Sequence, residues 1–123
     1  IKDAILNRYS KDKVKDAMSL DAGIVIDNML NLKSIEIEAD KRVGLYRLEN
    51  NDLCLLSRGT SLKWETALRK ALEYISRAPK LPPEDCKLHI VLHIVTLSKP
   101  LPESDIEHLR DALRIIGVLA FFT

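Results

Sequence analysis

The sequence predicts an α+β protein, mainly helical, with one small antiparallel β-hairpin, and three observations carry that expectation. Trp64, Ala67, Leu68, Ala71, Leu72 and Ile75 fall on one face of a helix whose other face holds Lys63, Glu65, Arg69, Lys70 and Glu73. Ser104-Asp105-Ile106-Glu107 has the form of a capping box and opens a stripe of Ile106, Leu109, Leu113, Ile116 and Ala120. Ile35 and Ile37 alternate with Glu36 and Glu38, the period-two signature of a half-buried strand, and a second β-prone run, Val43 to Leu48, follows Ala39-Asp40-Lys41-Arg42.

A chain of 123 residues makes one domain over 1–123, divided by pattern into an N-terminal half, 1–57, and a helical half, 61–121. Ala4, Ile5, Leu6 and Tyr9 line a first short helix, and Ser10 caps a second that carries Val14, Ala17 and Met18. Ser19 or Asp21 caps a third, with an apolar stripe of Val25, Ile26, Met29, Leu30 and Leu32. Asn50-Asn51-Asp52 is a turn into Leu53–Leu56, which periodicity leaves open as a third strand or a buried connection. After the helix of residues 61–78, Pro79, Pro82 and Pro83 form a stiff stop. Residues 86–97 admit two readings. A helix would seam Leu88, Val91, Leu92 and Val95, and a strand would align Leu88, Ile90, Leu92 and Ile94; the helix start Pro83-Glu84-Asp85 tips the expectation to helix. The final helix is expected over 103–121.

Lys plus Arg number 19 and Asp plus Glu 18, so no global field draws this chain to a polyanion, and a nucleic-acid role would need a local patch. Cys54 stands in an apolar string and Cys86 between Asp85 and Lys87, both outside any metal-ligand spacing, and the expectation is two buried thiols in a reducing compartment. The apolar run Ile115–Phe122 is too short for a membrane span, so the expectation is an intracellular protein, cytoplasmic or nuclear, with no membrane partner. An opening Ile1 in place of Met reads as a piece of a longer protein.

Little in the sequence speaks for catalysis. His89 and His93 are four apart, a spacing at which two imidazoles can share a metal, but the Glu of an HExxH motif is missing. No nucleophile signature is present, and the isolated Gly23, Gly44, Gly59 and Gly117 make no phosphate-cradling loop. Glu36 and Glu38 share a strand face and read as solvent-facing rather than as an acid/base pair. No catalytic residue, metal ligand or cofactor is assigned.

Lys11-Asp12-Lys13-Val14-Lys15-Asp16-Ala17-Met18-Ser19-Leu20-Asp21, followed by Ile24–Leu32 and Lys33-Ser34-Ile35-Glu36-Ile37, resembles the second helix, presented helix and wing entry of winged helix-turn-helix domains. That resemblance covers residues 10–48 and implies a winged-helix-like N-terminal half; in many relatives it implies DNA readout. The presented positions here are Ala22, Gly23, Asp27, Asn28 and Asn31, and the carboxylates of Asp21 and Asp27 near phosphates oppose that use. The sequence therefore points to a non-catalytic module of protein–protein assembly, with a dimeric DNA-binding regulator and a fragment of an enzyme or metal protein as alternatives. Its candidate contacts are Asp27, Asn28 and Asn31 on the presented helix, Lys41, Arg42, Tyr46 and Arg47 on the wing, and Phe121 and Phe122 at the apolar end, which also suits a homodimer seam.

Overall fold

Asp21 opens the first element as expected: its carboxylate accepts from Gly23 N–H at 3.0 Å, and helix α1 (Ala22–Leu30) runs to Asn31, whose φ of 55° ends it. Three strands follow, β1 (Ser34–Ala39), β2 (Val43–Leu48) and β3 (Leu53–Thr60), then α2 (Trp64–Arg77), β4 (Leu88–Val95), α3 (Glu103–Ile115) and β5 (Val118–Phe122). The computed structural model describes residues 19–40, 43–77, 86–96 and 102–123. The two helices expected before Ser19, like Lys41 and Arg42, lie outside the described residues.

All five strands join one mixed sheet in the order β1-β2-β3-β4-β5. The first three form an antiparallel meander. β3–β4 and β4–β5 are parallel, which requires the crossovers that α2 and α3 supply. The expectation of a mainly helical chain with a small hairpin is thereby overturned: 40% of the described residues are helical and 37% are strand, in a sheet of five strands. The expected wing is not a free flap. β1 and β2 are the first two strands of the sheet, with β2 hydrogen-bonded on its far side to β3.

Two further corrections share a physical cause. Residues 88–95 are strand, not helix, and β5 occupies what was expected to be the end of the last helix. Parallel strands covered on both faces read as unbroken apolar runs, so periodicity cannot separate them from a buried helix. α3 stops at Ile115 because Gly117 takes a φ of 81°, left-handed backbone that terminates helices. It starts at Glu103 as expected, but its N-cap is Pro102 with no side-chain capping bond, not the expected capping box from Ser104.

The sheet has helices on both sides. On one face Ala22, Val25 and Ile26 of α1 pack on Tyr46, Leu48, Cys54, Leu56 and Val91, with Leu119 and Phe121 at the margin. The expected projecting rod is therefore half sunk in the core; Val25 and Ile26 are fully buried, while Asp27 and Asn28 stay exposed. On the other face α2 and α3 cover Leu55, Leu92, Ile94, Val118 and Ala120 through Ala67, Ala71 and Leu113. Each fully buried Leu or Ile contributes about 2 kcal/mol, so this double-sided burial is the main source of stability. α2 sits close because Gly59 has no Cβ, which would lie 3.0 Å from that of Ala67, and because Ser57 Oγ donates to Ala67 C=O at 2.7 Å.

Candidate functional site

Strand alternation places Ser34 and Glu36 of β1, Tyr46 of β2 and Arg58 of β3 on the face that α1 covers only in part. Together with Asp21 at the start of α1 they line an open cleft of about 390 Å³. Glu36 lies directly across from Tyr46 in the β1–β2 ladder. Gly44 makes room for the tyrosine: a Cβ there would stand 2.6 Å from the phenolic oxygen and 2.7 Å from the ring. Tyr46 thus lies along its own strand, over Gly44, and is buried.

The electrostatics couple these groups. Burial, then the Glu36 carboxylate, push the Tyr46 phenol above its ordinary value, with Arg58 acting in the opposite sense. Burial also lowers the Arg58 guanidinium from its usual range, while Tyr46 and Asp21 favour its charge. Ser34 Oγ is buried and has no hydrogen-bond partner among the described residues. Among the described residues, the cleft thus sets one partly desolvated cation beside two carboxylates, a phenol and a hydroxyl.

Behind Arg58 stands His93, its neighbour in the β3–β4 register, with no exposed surface. His93 Nε2 and Thr123 Oγ1 hydrogen-bond at 2.8 Å, and the ring tilts against Phe121 at 5.3 Å between centroids. Burial first, and Arg58 second, bring its pKa down to about 4, so the imidazole is neutral at neutral pH.

A second polar cluster lies at the opposite end of the same strands. Lys87 N–H donates to Asp52 Oδ1 at 3.1 Å, and Asp52 Oδ2 meets His89 Nε2 at 3.1 Å. The backbone donation, then the imidazole, hold the Asp52 carboxyl below the ordinary aspartate range. Cys54 lies beside His89 in register, but burial pushes its thiol up to about 12, which leaves it inert. The cluster pins the β2–β3 turn to the start of β4. Cys86 is only partly buried, contrary to the expectation of two buried thiols, and both cysteines are free. As strand residues four apart, His89 and His93 are separated by about 13 Å and cannot share an ion. Among the described residues no group of His, Cys, Asp and Glu could hold a metal.

The residues expected to act together are dispersed. Asp27 and Asn28 are exposed on α1, and Asn31 is its left-handed cap. Arg47 is exposed on the opposite side of β2 from Tyr46, so the two do not form a joint contact. Phe121 faces the α1 side against His93, whereas Phe122 faces α3, where Arg110 stands 5.3 Å over its ring. Of the expected residues that the structure describes, only Tyr46 belongs to the cleft; Lys41 and Arg42 lie outside the described residues. The sequence marks Asp21 as a cap and Glu36 as solvent-facing, and singles out neither Ser34 nor Arg58. The available signal is Arg58 itself, a charge two residues past the apolar run Leu53–Leu56.

The chain matches no family model, no curated protein and no solved structure. No helix among the described residues is long and apolar enough to cross a membrane.

Proposed function

We propose that this chain is a non-catalytic assembly module, in which the outer edge of β5 pairs with β5 of a second copy. The carrying observation is the contrast between the two edges of the sheet. β1 has the features that blunt an edge: glutamates at 36 and 38, and a bulge that leaves Ile37 as an extra residue between the Glu36–Tyr46 and Glu38–Leu45 pairs. β5 has none of these. Val-Leu-Ala-Phe-Phe carries no charge, proline or bulge, and Ile115 and Ile116 beside it are 85% and 64% exposed. Antiparallel pairing about Ala120 sets Leu119 against Phe121 and Val118 against Phe122, apolar pairs with no like charges opposed.

Light scattering over a range of protein concentrations tests this reading. A mass that rises to twice that of the chain, and returns to the single chain on Leu119→Lys or on the exposed-site change Ile116→Lys with helix content retained, supports it. A monomer at every concentration overturns it, as does a dimer indifferent to both changes. A mass increase that appears only with added duplex DNA and vanishes at high salt would favour the regulator alternative instead.

A further inference from the structure

We infer that the end of β5 is a proton-operated latch: when His93 takes up a proton, Phe121–Thr123 come away from β4, and the edge that β5 offers for pairing is lost. The consequence for assembly rests on the β5 pairing proposed above; the release itself does not. The first ground is what holds the end of β5. Thr123 N–H donates to Ile94 C=O at 3.1 Å, and Thr96 donates to Thr123 C=O from its N–H at 2.8 Å and from its Oγ1 at 2.7 Å. Thr123 Oγ1 in turn bonds His93 Nε2 at 2.8 Å. Of these ties only the one to His93 titrates.

The second ground is that the protonated ring has no place in the folded sheet. His93 has no exposed surface, and its Nδ1 is buried without a hydrogen-bond partner. Whichever nitrogen bears the hydrogen of the neutral ring, the imidazolium carries one on each, so Nδ1–H is left without an acceptor. No charge facing the ring among the described residues relieves this. β3 sets the Arg58 guanidinium at the same register, where it opposes a second cation, and β5 presents Phe121 and Thr123, which carry no charge. On β4 itself His89 shares the face but stands about 13 Å away. Of the α1 carboxylates, Asp21 acts on Arg58 and Tyr46, and Asp27 is exposed.

The third ground decides which element yields. β3 and β4 are each paired on two sides, β5 on one. Within β5, Val118 and Ala120 are buried, whereas Phe121, Phe122 and Thr123 are only partly so. Releasing those last three residues uncovers the Thr123 and Phe121 side of the imidazole while Val118 and Ala120 keep their places, a smaller loss than opening the sheet.

Amide hydrogen exchange of the 15N-labelled chain at pH 7 and pH 4.5, corrected for the intrinsic effect of pH on exchange, is the test. Thr96 and Thr123 N–H report the end of the β4–β5 pair, and Ser61 N–H, which donates to Val95 C=O at 2.9 Å, reports the β3–β4 pair at the same end. Opening at Thr96 and Thr123 should be insensitive to low urea and should rise about 50-fold on acidification, the factor set by a folded pKa of about 4 against an ordinary 6.5. Ser61 should open more rarely at both pH values and with a marked urea dependence. His93→Gln should remove the rise. If that variant does not fold, Thr123→Val, which deletes the tie at a partly buried site, should raise opening at Thr96 at least about fivefold at pH 7. The latch is overturned by the absence of a rise, by a rise that persists in His93→Gln, by equal urea dependence at Thr96 and Ser61, or by unchanged opening in Thr123→Val. Light scattering at the same two pH values separates the two readings. A double mass that falls to the single chain at pH 4.5 supports both, and a double mass kept there overturns the effect on assembly. Release in a chain that is single at both pH values supports the latch and overturns the pairing alone.

Discussion

At the scale of single residues, Gly44 is the position on which the cleft most depends. A strand interior ordinarily gains from replacing glycine, since a side chain lowers the entropy lost on folding. Here the added methyl would collide with a buried tyrosine ring at 2.6–2.9 Å, and a ring in contact with the core has little room to retreat. Gly44→Ala should therefore destabilise by about 1–3 kcal/mol, in the range of overpacking. Tyr46 should also swing outward, so urea melts would show the loss while tyrosine fluorescence reports a more solvated phenol. Arg58 carries the complementary lesson. Its charge is tolerated because the cleft is open on one side and because Asp21 and the Tyr46 phenol stand near it.

At the scale of elements, the seating of α2 on the sheet rests on two small residues of β3. Ser57 ties its hydroxyl to Ala67 C=O, and Gly59 leaves the gap into which Ala67 and the Lys63 carbonyl fit. In Gly59→Ala the new Cβ would stand 3.0 Å from Ala67 Cβ and 3.1 Å from Lys63 O, the latter backbone that cannot rotate away. α2 must then lift, and the expected cost is about 1–3 kcal/mol. Ala67→Gly in the same chain should recover part of it by removing one of the two contacts, which thermal melts of the single and double variants would reveal. The elements read most directly from sequence carry a local signal: α2 shows its 3.6-residue stripe and Asp21 caps α1. The alternation of β1 marks a strand, but not the half-buried one expected, since as an edge strand it is exposed on both faces beyond Ser34. β4 and β5 could not be read in that way. Leu88–Val95 is covered on both faces toward its end, and Val118–Phe122 is five residues of uniform apolarity. In neither does the pattern of polarity record the backbone conformation.

For the molecule as a whole, His93 links folding to pH. Its folded pKa of about 4 lies below the ordinary imidazole value of 6.5, so the unfolded chain binds the proton more tightly. The stability this group contributes is fully present above pH 6.5, and it is lost as pH falls from there through about 4. Between pH 7 and 4.5 the loss should be roughly 2 kcal/mol. His93→Gln, which can keep a bond to Thr123 without titrating, should flatten that part of the profile in urea melts. Holding the measurement at or above pH 4.5 separates it from Asp52. That carboxyl is lowered from 3.8, so its contribution is present above that value and declines only below it. An unchanged slope in the variant would assign the acid sensitivity elsewhere.

The sequence by itself determined the absence of a strong net field, the amphipathic α2, the capped start of α1 and the antiparallel succession of β1 and β2. Each of these is a local matter of period, cap or turn chemistry. Tertiary structure alone decided that the hairpin is the margin of a five-stranded sheet, that two apolar runs are parallel strands, and that Asp21, Ser34, Glu36, Tyr46 and Arg58 share one cleft. Those facts depend on which strand lies beside which, and strand order is set by the crossovers through α2 and α3, contacts between segments distant in the chain that no local pattern encodes.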